Sequence, residues 1–199
     1  MDTPAAKIRA KLSHPVIDGD GHWMEPIPVF LDYLAEVAGT QAVDALRAHW
    51  HRKDVWYRST ADERQRQRIR RIIWWGATTQ TLDKATALLP KLLYERLPEL
   101  GIDFALMYPT FGLTILAIPD DELHAAASRA YNQMTAELFK PYTNRFAPVA
   151  MVPARTPQQA LTELNYAVGE LGYKAIMLRG NQERTLAGGA GGEVGKGSW

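Results

Sequence analysis

The segment Pro15-Val16-Ile17-Asp18-Gly19-Asp20-Gly21-His22 sets two carboxylates and an imidazole at alternate positions behind a short apolar run. On a strand, residues two apart project to the same face, so this spacing predicts Asp18, Asp20 and His22 along one side. An imidazole nitrogen beside carboxylate oxygens is a donor set suited to zinc, manganese or non-haem iron. The glycines between them let backbone or metal approach closely. At the C-terminal end of a strand in a parallel barrel, that side is the mouth where catalytic groups gather. The same spacing also fits acidic loop residues that cap the next element, with His22 as an ordinary polar neighbour.

Cysteine is absent, which removes disulfide frameworks and thiolate sites, so any metal must take His, Asp or Glu. Beyond His22 the histidines are His14, His49, His51 and His124. His49 and His51 stand two apart in a helical segment and so diverge, and His124 beside Asp120 and Asp121 predicts a solvated helix face. Tyr108, Thr110 and Arg179 follow predicted strands and are candidates for substrate contact. The Arg179 guanidinium could fork onto a carboxylate. Each also fits ordinary loop structure. Trp74 and Trp75 either roof a pocket or pack at a helix end.

The basic stretch Arg64 to Arg71 adjoins Asp62 and Glu63 and lacks a recognised nucleic-acid fold or aromatic platform. It reads as a solvated or subunit-facing helix. The net charge of +1 supplies no global field toward nucleic acid or anionic lipid. The tail holds six of the fifteen glycines between Gly188 and Trp199. A phosphate loop there fails on spacing, because Val194, Ala190 and Gly197 occupy positions that need other residues. The tail, 185–199, reads as a flexible segment.

Around these residues the chain alternates strands and helices. Strands are predicted at 15–20, 102–108, 145–152 and 173–178. Helices are predicted at 27–38 and 41–53, from about 82 to 100 with Pro90 and Pro98 kinking or dividing it, at 120–142 and at 156–171. Gly101 and Gly172 are helix-ending glycines, and Thr156 with Pro157 is an N-terminal cap. Near-continuous apolar strands alternating with helices predict an α/β fold with a parallel, helix-covered sheet. Four strands in 199 residues make half of an eight-stranded (β/α)8 TIM barrel, which typically takes about 250. The predicted organisation is therefore a half-barrel over 1–184, with a helical insertion at about 27–100 after the first strand.

The run from His14 through Asp18-Gly19-Asp20-Gly21-His22-Trp23-Met24-Glu25-Pro26 resembles the opening strand of the amidohydrolase-related family, which includes aminocarboxymuconate-semialdehyde and resorcylate decarboxylases. Ala130-Tyr131-Asn132 followed by Arg145-Phe146-Ala147-Pro148-Val149-Ala150-Met151-Val152-Pro153 extends the resemblance. So does Ala160 through Leu171-Gly172-Tyr173-Lys174-Ala175-Ile176-Met177-Leu178. The similarity covers about 14–184 in patches and fades in the tail.

The resemblance implies a metal-dependent hydrolase or non-oxidative decarboxylase (a carboxy-lyase) acting on a small carboxylated or cyclic substrate. It implies one divalent metal, zinc or manganese. The family's first strand ends His-x-His, and the matching positions here are Asp20 and His22, with Glu25 as a possible further ligand. Later strands of the family supply another histidine and a catalytic aspartate. After Leu178 this chain has neither residue type. The expectations are a truncated barrel with an incomplete site, cytoplasmic and without nucleic-acid or membrane partners. It would associate as a homo-oligomer or through open sheet edges. The alternative is a non-catalytic barrel fragment that needs a partner chain.

Overall fold

In the computed structural model, which describes residues 3–53, 59–68 and 80–180, four parallel strands lie side by side in chain order. They are β1 (Ile17–His22), β2 (Phe104–Tyr108), β3 (Phe146–Met151) and β4 (Ala175–Met177). Trp74, Trp75, residues 69–71 of the basic stretch, the His51 side chain and the glycine-rich tail lie outside the described residues. β1 starts two residues later than the apolar run predicts. Pro15 has no N–H to give a ladder, and the Val16 N–H donates instead to the Asp103 carboxylate at 2.7 Å.

The helices follow from caps and breakers. α1 (Pro4–Arg9) carries the same Thr-Pro start as the segment at 156 and is an additional helix beyond those expected from the apolar pattern. The Thr3 hydroxyl accepts from the Ala6 N–H and donates to the Glu99 carbonyl at 2.6 Å, which docks α1 on a later helix. Arg9 pairs with Asp103, so one carboxylate ties α1 to the entry of β1. α2 (Ile27–Lys53) is broken at Gly39, whose backbone is non-helical, giving the two predicted segments. α3 (Ala61–Gln67) opens on a Thr60–Glu63 capping box. α4 (Thr81–Leu88) and α5 (Pro90–Leu100) divide at Pro90, while Pro98 stays inside α5. Gly101 ends α5 in the left-handed conformation, φ 71°.

α6 (Asp121–Phe139) is capped by the Asp120 side chain, and α7 (Pro157–Asn165) by Thr156. α6 packs against both α2 and β3. Between them lies the main core, built from Trp23, Phe30, Leu34, Leu46, Met107, Ile115, Met134, Phe139 and Phe146. Trp23 meets Phe139 edge-on at 5.0 Å between centroids, and Phe139 meets Phe146 likewise at 5.4 Å. No helix among the described residues is long and apolar enough to cross a membrane.

One polar residue organises the second half of the sheet. Asn132, fully buried in α6, donates through Nδ2 to the Met151 carbonyl (2.9 Å) and to Glu163 (2.7 Å). Its Oδ1 accepts the Met151 N–H at 2.8 Å. Glu163, on α7, also accepts from Arg129 at 2.8 Å, and Arg129 lies 3.7 Å over the Tyr166 ring. The Asn132 carbonyl accepts from the Tyr173 hydroxyl at 2.8 Å. One side chain thus satisfies both Met151 backbone groups at the end of β3 and donates to the carboxylate of a partly buried ion pair, and its backbone anchors the approach to β4.

His124 departs from its predicted solvated face and is 2% exposed. The cause is long-range: the Arg155 side chain reaches back to the Ile118 and Pro119 carbonyls and to Asp121, covering the first turn of α6. Burial lowers the His124 pKa to about 4, and the charges of Arg155 and Arg179 push the same way against Asp121.

Two outcomes are expected. Asn132→Leu leaves both Met151 backbone groups and one Glu163 oxygen unpartnered, and lowers unfolding free energy by about 3 kcal/mol in urea titrations. An unchanged midpoint would contradict the network's importance. Because the folded pKa of His124 lies below the ordinary 6.5, the unfolded chain binds its proton first on acidification. Stability contributed by the neutral ring is full above about 6.5 and is lost as pH falls toward 4. The drop in unfolding midpoint from pH 7 to pH 5 is therefore smaller in His124→Leu than in the unsubstituted chain, and equal drops would refute this.

Candidate functional site

The end of β1 is not a plain strand. Asp18 pairs with Ala105 and Gly21 with Met107, so three steps along β1 match two along β2. The extra residue is a bulge, a device that re-aims side chains at strand ends. The Asp18 carboxylate holds it, accepting the Asp20 N–H at 3.0 Å. Gly21 permits it, because a Cβ there would lie 2.6 Å from the Leu106 carbonyl oxygen.

The bulge corrects the predicted common face. Residues paired across a ladder share a side, so Asp18 falls with Ala105 and Gly21, on the side of buried Met107. His22 pairs with Tyr108 and falls on the opposite side. Strict alternation would have kept Asp18 with His22. One inserted residue changes the phase.

Asp20 and His22 are brought together, with Asp20 Oδ1 3.9 Å from His22 Nε2. The Asp20 side chain is 93% exposed and that of His22 15%. On the other side of the ring, His22 Nδ1 lies 3.3 Å from the Thr110 hydroxyl. The Tyr108 ring sits 6.0 Å from the imidazole, tilted 39°. Four of the residues singled out by the sequence, Asp20, His22, Tyr108 and Thr110, therefore meet where β1 and β2 end in register.

Glu25 is placed differently. It is 5% exposed, and its Oε1 accepts the N–H groups of Thr110 and Gly112, each at 3.0 Å. Its Oε2 accepts the Phe111 N–H at 2.7 Å. Burial raises the carboxyl pKa above its ordinary value, and the backbone donors act in the opposite direction. These donors open a 3-10 segment, Phe111–Ala117, that no apolar period or cap in the sequence marks. Arg179, exposed beyond β4, donates to the Leu116 carbonyl at 3.2 Å and so touches the far end of the same segment.

The donor chemistry of Asp20 and His22, one hard oxygen and one imidazole nitrogen, suits manganese or zinc. Catalytic zinc normally keeps three protein ligands. Among the described residues no group of three or more His, Cys, Asp or Glu stands ready to hold a metal. The pair therefore fits two positions of a coordination sphere and leaves the remainder unsupplied.

Comparison with known proteins bears on the fold. No protein-family model matches the chain, and no curated protein matches it in sequence. Among solved structures, a 2,6-dihydroxybenzoate decarboxylase bound to 2,6-dihydroxybenzoate matches with a TM-score of 0.50 and 17% identity, over 85% of this chain and 40% of its own. A dihydroxybenzoic acid decarboxylase from Polaromonas, with bound manganese and the inhibitor 2-nitroresorcinol, matches at 0.50 and 17%, over 84% and 39%. A 5-carboxyvanillate decarboxylase from Novosphingobium aromaticivorans, also with manganese, matches at 0.51 and 13%, over 84% and 42%. The chain spans about two-fifths of the length of these structures. It therefore has the α/β fold of the amidohydrolase-related decarboxylases, and fits the N-terminal portion of their TIM barrel.

Proposed function

We propose that this chain supplies the first-strand ligands of a divalent-metal centre in a non-oxidative decarboxylase of aromatic carboxylic acids. The observation that carries the reading is the approach of Asp20 to His22 Nε2 at the end of β1, in a fold shared with such decarboxylases. Manganese is the favoured ion, since a carboxylate replaces one imidazole here and two neighbours were solved with manganese. The remaining ligands come from polypeptide other than the described residues.

In this reading His22 Nε2 and one Asp20 oxygen hold the ion, and the Thr110 hydroxyl orients the imidazole from its Nδ1 side. A bound divalent ion supplies Lewis-acid polarisation of a substrate oxygen. The Tyr108 ring provides an aromatic wall beside His22, suited to a planar substrate. Arg179 offers guanidinium N–H groups to a carboxylate at the end of β4. Decarboxylation is preferred over hydrolysis because the solved neighbours are decarboxylases.

A second reading, a barrel portion that works by associating with another polypeptide, is favoured by the sheet edges. Ile17 on β1 is 61% exposed, Ile176 on β4 38% and Leu178 just beyond it 53%. Among the described residues no strand pairs with the outer side of either β1 or β4, and such apolar edges are templates for association.

Two measurements separate these readings. Manganese titration of the chain, followed by water-proton relaxation, is expected to show one weak site that a mild chelator strips. Asp20→Asn and His22→Gln are each expected to weaken it at least tenfold. Binding that both substitutions leave unchanged would overturn the metal reading. Sedimentation at several concentrations is expected to show concentration-dependent association, reduced in Ile176→Lys. A concentration-independent monomer would sink the edge-pairing reading.

A further inference from the structure

We infer that Glu25 is a positioning residue for His22, acting through Thr110, rather than a metal ligand. The inference rests on the reading of His22 as a ligand through Nε2. A carboxylate placed deep in the fold needs donors to offset its lost hydration. Glu25 finds three, the successive N–H groups of Thr110, Phe111 and Gly112. Each oxygen accepts at least one of these N–H groups, which engages the carboxylate in organising the loop after β2.

The close fit supports the same assignment. A Cβ at Gly112 would lie 3.1 Å from Glu25 Oε1 and 2.8 Å from atoms of both Pro109 and Tyr131. The loop backbone is thus seated directly on the carboxylate, with Tyr131 behind it. Glu25 follows His22 by three residues, so it spans from the end of β1 to the end of β2. Fixing the Thr110 backbone fixes where its hydroxyl stands, 3.3 Å from His22 Nδ1. An imidazole that donates its Nδ1–H to that oxygen keeps a lone pair on Nε2, the nitrogen facing Asp20.

A purely structural Glu25 would affect folding but not the proton distribution on one ring. The test is therefore the His22 tautomer, read from nitrogen–proton correlation spectra of the metal-free chain at pH 8, with manganese titration alongside. The unsubstituted chain is expected to hold His22 mainly as the Nδ1–H form. Glu25→Gln keeps the shape but turns an amide N–H toward a backbone donor. It is expected to shift His22 toward Nε2–H and to weaken manganese binding by about 10–100-fold. Thr110→Val is expected to produce the same shift with Glu25 intact, and Thr110→Ser to restore the original ratio.

A folded Glu25→Gln chain with an unchanged tautomer overturns the inference. If Glu25→Gln does not fold, an unchanged tautomer in Thr110→Val overturns it equally. The two readings fail separately. Loss of manganese binding sensitivity at Asp20 and His22 sinks the metal reading, whereas preserved binding with an insensitive tautomer sinks only the role of Glu25.

Discussion

The site depends on one extra residue in the first strand. A regular strand would keep Asp18 on the face of His22 and aim the segment differently, because side-chain direction alternates without exception along a pleat. The bulge between Asp18 and Gly21 breaks that phase. It survives because Asp18 satisfies the freed Asp20 N–H and because Gly21 lacks the Cβ that would strike the Leu106 carbonyl. Asp20 is thereby left in solvent while His22, paired with Tyr108, is largely covered.

Polar groups then do what the apolar core cannot, which is to fix particular loops against particular strand ends. Burial of Trp23, Phe139 and Phe146 holds helices to sheet but is indifferent to small sliding motions. Glu25 joins the ends of β1 and β2, Asn132 joins α6 to the end of β3, and Asp103 joins α1 to the entry of β1. In each case one side chain satisfies backbone groups that are distant in sequence. That is a specific requirement of position, since an unsatisfied buried N–H or carbonyl costs about 1–3 kcal/mol.

Much of the fold was legible in the sequence because its elements are punctuated locally. Gly39, Pro90, Gly101 and the Thr156-Pro157 pair mark helix breaks, ends and starts where the structure has them. Apolar runs mark β2 and β3. What escaped was decided across the fold. The bulge needs the Leu106 carbonyl, the burial of His124 needs the reach of Arg155, and the Glu25 donors lie 85–87 residues further along the chain. Adjacent aspartates point to a solvated His124, and tertiary packing overrides them. By contrast, α1 carried a readable Thr-Pro start, and only its brevity and lack of buried apolar residues hid it.

The bulged end of β1 is proposed to present His22 Nε2 and the Asp20 carboxylate to one metal ion. The most direct measurement is an anomalous difference map from crystals soaked in manganese. A single strong peak is expected within coordination distance of His22 Nε2 and an Asp20 oxygen, with Glu25 still bonded to the 110–112 backbone. A peak bound by Glu25, or no peak beside His22 at saturating manganese, would contradict it.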